Sequence, residues 1–133
     1  MHYPWQQTLT NMLEQEAHAR SIYVFVDKDG NSGKSQFARD WYLRNTLTSM
    51  ILLNGKTGDV TNAIMEHDPS NLQVVFFDLM RSNLEHVNFD VIERVKNGQL
   101  LNTKYQGAMV TIGYTPHVVI FTNEHLNYTK LLS

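Results

Sequence analysis

Five residues, Ile22-Tyr23-Val24-Phe25-Val26, run directly into Asp27-Lys28-Asp29-Gly30-Asn31-Ser32-Gly33-Lys34-Ser35. A helical apolar pattern then resumes through Phe37, Trp41 and Leu43. The first run is β-branched and aromatic and too short for a helix, so it reads as a buried strand. The second is a cluster of turn formers holding two glycines. A strand, a tight glycine loop and a Gly-Lys-Ser that opens a helix suit this segment to phosphate. Gly30 and Gly33, with Asn31 and Ser32 between them, let backbone N–H groups approach phosphate oxygens, and the helix N-terminus adds its positive dipole end. Lys34 is then placed to reach β- and γ-phosphates, and the Ser35 hydroxyl to complete a Mg²⁺ shell. The general pattern G-x-x-x-x-G-K-[ST] would put its first glycine at position 28, which is Lys28. The plainer alternative is a strand–turn–helix with a coincidental Gly-Lys-Ser. The agreement of loop, flanks and order outweighs it.

The rest of the chain follows the same alternation. Trp5–Arg20 reads as a polar helix, with Leu9, Met12, Leu13 and Ala17 at spacings of three and four. Met50–Leu53 is a strand candidate, and Thr57–Glu66 a short helix capped by Thr57 or Asp59. Gln73–Asp78 and His117–Thr122 are strands. Ser82–Val95 reads as a helix with Leu84, Val87, Val91, Ile92 and Val95 along one stripe. Asn97-Gly98 and Gln106-Gly107 flank a Thr/Tyr/Lys stretch that suits a hairpin. The strands are continuous apolar runs alternating with helices, the mark of a parallel sheet covered on both faces. The expected fold is one α/β domain with a central, mainly parallel sheet flanked by helices.

Composition limits the function classes. With 133 residues the chain suits one domain. It has no cysteine, which excludes a disulfide scaffold and a thiol nucleophile and fits a reducing, intracellular compartment. The longest apolar runs, such as Val74–Phe77, are far below the ~20 residues of a membrane span, so no membrane partner is expected. A formal net charge of −2 argues against coating nucleic acid by bulk charge.

A nucleotide motor also needs an acid at the end of a neighbouring strand. Asp78 ends the run Val74–Phe77 and can hold Mg²⁺ directly or through water. The alternative is a helix N-cap. Many such motors pair two acids, and here Phe77 and Leu79 flank Asp78; Glu66, Asp68 and Glu85 are candidates for the second. Asn123 ends the last strand, where an amide can orient the water that attacks a γ-phosphate, or can simply close a turn.

Taken in order, these motifs resemble the superfamily 3 helicase domain of the replication-associated (Rep) proteins of circular single-stranded DNA viruses. Asp27 with Gly30-Asn31-Ser32-Gly33-Lys34-Ser35 resembles the family's D-x-x-G-N-x-G-K-[ST], in which a residue such as Lys28 is less anomalous. Phe77-Asp78-Leu79-Met80-Arg81-Ser82 resembles its F-D-h-x-R-S strand end. Ile92-Glu93-Arg94-Val95-Lys96-Asn97-Gly98 with Thr103-Lys104-Tyr105-Gln106-Gly107 resembles its I-E-x-[IV]-K-N-G and T-K-Y-Q-G segments. Phe121-Thr122-Asn123-Glu124 resembles its third motif, and Trp5-Gln6 with Arg20 its lead-in.

The resemblance implies a P-loop NTPase of the AAA+-like superfamily 3 kind. It implies hydrolysis of ATP with Mg²⁺, movement along single-stranded DNA, assembly into a homo-oligomeric ring, usually a hexamer, and work in the host cell nucleus. Catalysis would fall to Lys34, Asp78 and Asn123, and metal binding to Ser35 and Asp78. DNA contacts would fall to Lys104, Tyr105 and Lys96 in and beside a channel-facing hairpin. A ring can gather a few lysines into a basic pore without making the monomer basic.

The family's nicking domain, with a His-x-His pair and a Tyr-x-x-Lys nucleophile, has no counterpart here, and the six histidines show no metal-ligand spacing. The expectation is therefore a single P-loop ATPase/helicase domain over 1–133, with 1–20 as lead-in and without the family's C-terminal segment. Arg81 and Arg94 are the candidates for an arginine acting across an interface. The non-enzymatic alternative is a nucleotide-binding oligomerisation and single-strand-binding module with little turnover. A small-molecule kinase of the same loop class is disfavoured by the hairpin motif.

Overall fold

Val74–Asp78 and His117–Thr122 are apolar at nearly every position, and the reason is two-sided burial. In a strand successive side chains point to opposite faces. Val75 and Phe77 of the first, with Val118 and Ile120 of the second, enter one core. Val74, Phe76, Val119 and Phe121 enter another on the opposite face. Phe76, Phe77 and Phe121 are all fully buried, each contributing about 1.5–3 kcal/mol of transfer free energy. The computed structural model describes residues 4–15, 22–26, 33–67, 69–79, 87–102, 108–111 and 115–123.

The elements follow in the order α1 (Pro4–Leu13), β1 (Ile22–Val26), α2 (Lys34–Arg44), β2 (Ser49–Leu52) and α3 (Thr57–His67). After a 3₁₀ turn at Pro69–Asn71 come β3 (Val74–Asp78), α4 (Phe89–Lys96), β4 (Gln99–Asn102), β5 (Ala108–Thr111) and β6 (His117–Thr122). Four strands form one sheet in the order β1-β6-β3-β2, every pair parallel. Helices α1 and α2 cover one face through Leu9, Leu13, Phe37, Ala38 and Trp41. Helices α3 and α4 cover the other through Val60, Ile64, Val91, Ile92 and Val95. The expected α/β architecture, a parallel sheet between helices, is what forms.

Two helices differ from their expected spans. Helix α1 ends at Leu13, with Glu14 and Gln15 in turns, where the apolar spacing suggested continuation to Arg20; residues 16–21 lie outside the described part. Of the helix expected over Ser82–Val95, residues 82–86 lie outside the described part, Val87 and Asn88 are not helical, and α4 runs from Phe89 to Lys96. Asn88 interrupts it in an extended conformation and caps α4, its side chain accepting from the Asp90 N–H at 2.9 Å. The Asn88 amide also donates to Thr57 Oγ1 at 2.6 Å, and its N–H to the Gly55 carbonyl at 2.9 Å. An apolar stripe gives no hint of a cap set among its positions.

The hairpin forms as β4 and β5, antiparallel, with Asn102 opposite Ala108. Asn97-Gly98 closes α4 ahead of it: Asn97 N–H donates to Glu93 and Gly98 N–H to Val95. Gly98 takes φ 76°, the left-handed conformation that lets a helix end in a reversal.

Candidate nucleotide site

Parallel strands that share a register end on the same side of the sheet, which is where ligands of open α/β sheets bind. Val26, the last residue of β1, lies opposite Thr122 of β6, and Asp78, the last of β3, lies opposite Phe121. The last residue of β1, the acid ending β3 and the asparagine following β6 therefore lie at one end of the sheet. Leu79 N–H fixes the turn beyond Asp78 by donating to the Phe121 carbonyl at 2.7 Å. Asn123 lies just past β6, exposed.

Gly33 brings the loop into α2. It is the N-cap residue, with φ 78° and ψ 21°, a conformation costing most other residues roughly 1–2 kcal/mol. Its carbonyl accepts the first helical bond, from Phe37 N–H at 2.9 Å. Lys34 and Ser35 occupy the first two helical positions, where unpaired backbone N–H groups and the dipole favour an anion.

Ser35 Oγ donates to Asp78 Oδ2 at 2.7 Å. The bond joins the start of α2 to the end of β3 and sets a hydroxyl and a carboxylate side by side. Two hard oxygen donors of this kind suit Mg²⁺, which takes one or two protein oxygens and fills its octahedron with water and phosphate. Among the described residues no three His, Asp or Glu cluster to hold a metal. A cation here would rest on this pair and on a phosphate ligand.

Lys34 is only 7% exposed. Its Nζ stands 5.1 Å from the centroid of the Trp5 ring, within cation–π range. Trp5 itself packs on Phe25, Phe37 and Phe121, at centroid distances of 5.4, 5.4 and 5.9 Å. Helix α1 thus places an indole against the lysine of the loop. Nothing in the sequence points to that contact beyond the lead-in resemblance at Trp5-Gln6.

Other expected residues lie elsewhere. Glu66 sits near the end of α3, beside His67, whose Nε2 hydrogen-bonds the Thr46 carbonyl ahead of β2. That is the opposite end of the sheet from Asp78, so Glu66 is not the second acid of this site. Arg94 pairs on its own helix with Asp90, Nε to Oδ2 at 2.9 Å. Lys96, expected to meet DNA, is buried at 3% exposure and donates to the Pro116 carbonyl at 3.0 Å. It lies inside the chain, because the end of α4 packs against the start of β6 and encloses the side chain. Gly30, Asn31, Ser32, Asp68, Arg81, Glu85, Lys104 and Tyr105 lie outside the described residues.

The chain is similar to replication proteins of small plant-virus systems. It is 33% identical over 129 residues to Para-Rep C9 of Faba bean necrotic yellows C9 alphasatellite, covering 97% of this chain and 44% of that protein. With Para-Rep C6 of Subterranean clover stunt C6 alphasatellite it shares 38% identity over 121 residues, 90% of this chain and 41% of the relative. The master replication protein of Milk vetch dwarf virus (isolate N) is 32% identical over 120 residues, 90% of this chain and 39% of that protein. The chain thus spans under half the length of each of these relatives. No family model and no solved structure matches it. Near-complete alignment of the chain with these proteins, together with the parallel sheet and the converging strand ends, makes it a Rep-related protein of the circular single-stranded DNA viruses and their alphasatellites.

Proposed function

We propose that this chain is the Mg²⁺-dependent ATPase of a replication initiator, using hydrolysis to move along single-stranded DNA. The observation that carries the proposal is the 2.7 Å bond between Ser35 and Asp78. It sets the hydroxyl of the phosphate loop against the acid of a second strand, where a metal–nucleotide complex needs both.

When bound, Mg²⁺ would neutralise charge on the β- and γ-phosphates, with Ser35 and Asp78 as its protein donors. The chain's own groups account for the rest. The N-terminus of α2 binds phosphate oxygens. Lys34 moves its ammonium from the Trp5 face to the β- and γ-phosphates. Asn123, at the end of the neighbouring strand, orients the attacking water. Catalysis of this kind is positioning and charge neutralisation rather than covalent chemistry. Single-stranded DNA would meet the β4–β5 hairpin, with Lys104 on phosphate and Tyr105 stacked on base or sugar. A homo-oligomeric ring, usually a hexamer in the resembling family, would bring several such hairpins to one strand, in the host nucleus.

The test is steady-state ATP hydrolysis by the purified chain, with and without a single-stranded oligonucleotide, beside Lys34→Ala. A Mg²⁺-dependent rate that DNA stimulates and the substitution abolishes is expected. Equal turnover in Lys34→Ala would sink the proposal. Nucleotide binding without turnover would instead favour the oligomerisation and DNA-binding module.

A further inference from the structure

The chain enters the hairpin from the end of α4 and returns to the main sheet at β6, just after Pro116. The two ends of that excursion meet. Nζ of Lys96, the last residue of α4, donates to the Pro116 carbonyl at 3.0 Å across 20 positions of sequence. The left-handed Gly98 turns the backbone into β4 immediately after it. On the β6 side, His117 N–H donates to the Gln73 carbonyl at 2.8 Å, tying the same junction to the segment that enters β3.

A lysine ending a helix ordinarily extends into water, where it favours the helix dipole at little cost. Here the ammonium is enclosed, and an enclosed ammonium is costly unless hydrogen-bonded. Burial pulls its pKa down to about 8. Its carbonyl partner sits on the strand at the centre of the site: β6 lies between β1 and β3 and runs unbroken to Thr122, next to Asn123.

We infer that Lys96 is a positioning residue: it clasps the base of the β4–β5 hairpin to the start of β6, the strand whose far end carries Asn123. Hairpin and phosphate site then share one strand, so a shift of the hairpin base acts on the segment that ends beside Asp78. The consequence for DNA rests on the function proposed above; the clasp itself does not.

Amide hydrogen exchange on the full chain tests the clasp without nucleotide or DNA. In Lys96→Met the amides of β4 and β5 should exchange about tenfold faster or more, as expected for losing a buried charged hydrogen bond, while those of β3 keep their protection. Unchanged exchange in β4 and β5 would overturn the inference. Should the variant fail to fold, amine acylation of the unaltered chain decides. Lys96 should react far more slowly than the exposed Lys56, and equal labelling would refute an enclosed clasp. Binding of a fluorescent oligothymidylate across a salt series adds the link to DNA. A clasp weakens binding in Lys96→Met but leaves the salt slope unchanged, whereas a direct phosphate contact lowers that slope by about 1. If the unaltered chain binds no oligonucleotide, the proposed function fails and the exchange result still judges the clasp.

Discussion

The hydroxyl of Ser35, at the second position of α2, donates to the carboxylate of Asp78, the last residue of β3, at 2.7 Å. A hydroxyl whose proton goes to a carboxylate has lone pairs left to offer beside that carboxylate. The pair can therefore take a cation between the loop and the strand without rebuilding either element. Ser35→Ala and Asp78→Asn should each weaken Mg²⁺-dependent nucleotide binding by about tenfold or more, and Ser35→Thr should retain it. Because the groups touch, the double variant should lose less than the two single losses combined. Titration with a fluorescent ATP analogue, with Mg²⁺ and with EDTA, checks this. Strictly additive losses would mean that the two side chains act separately.

Lys34 and Trp5 make a second testable pair. The ammonium lies over the indole at 5.1 Å, a contact worth about 0.5–2 kcal/mol. Phosphate binding at α2 would draw the charge away from the ring. Addition of ATP analogue and Mg²⁺ should therefore change Trp5 emission. Trp5→Phe should abolish most of that change while nucleotide is still bound, leaving Trp41 as the remaining tryptophan. A signal of full size in Trp5→Phe would place the effect at Trp41 and remove the Trp5–Lys34 link.

Local signals in the sequence fall where the chemistry is local. The run Val74–Phe77 could announce a strand buried on both faces because alternate residues serve two cores, leaving no polar position to break it. Gly33, Lys34 and Ser35 could be assigned to the start of a helix because a glycine-rich turn after a strand leaves few other conformations. Asp78 was legible as a strand end, and its neighbour Ser35 only through the pairing of two motifs. Lys96 shows the limit. A lysine before Asn-Gly has the local pattern of a solvated helix end, and only the meeting of Lys96 with Pro116, 20 positions on, encloses it. The break at Asn88 was hidden in the same way: its partners Gly55 and Thr57 belong to the entry into α3.

That junction sets a stability prediction. Asn88 caps α4 and bonds Thr57 and Gly55 together, so Asn88→Ala should cost about 1–2 kcal/mol. Gly55 is close beneath it: a Cβ added there would meet Val87 Cγ1 at 2.8 Å and Val87 Cβ at 3.4 Å. A short β-branched side chain cannot swing away cheaply, and Gly55→Ala should cost about 1–3 kcal/mol by overpacking. Gly58, with nothing within 4 Å of such a Cβ, is the control: Gly58→Ala, within α3, should be neutral or stabilising. Urea denaturation compares the three. Equal effects at Gly55 and Gly58 would contradict the close approach.

Histidine at the entry to β6 gives the chain a pH dependence of definite sign. His117 is 4% exposed, its Nε2 lies 2.6 Å from the Gln15 carbonyl, and its ring stacks on Tyr23 at 6.1 Å. A carbonyl only accepts, so Nε2 carries the proton in the neutral ring, while buried Nδ1 has no partner among the described residues to stabilise a second. Burial lowers the pKa below 6.5; the Gln15 carbonyl pulls it back up in part, and the Lys96 ammonium lowers it further. The folded state therefore resists a proton that the unfolded chain accepts. Below pH 6.5 the unfolded form binds more protons, so stability falls as pH drops from 6.5 toward the depressed folded value. Melting curves between about pH 7.5 and 5 should show Tm declining with acidification. In His117→Phe, which retains a ring to stack on Tyr23 but cannot titrate, that decline should flatten, even if the lost Gln15 bond lowers Tm at every pH. The slope, not the absolute Tm, is the readout. An unchanged slope in His117→Phe would assign the acid sensitivity to other groups.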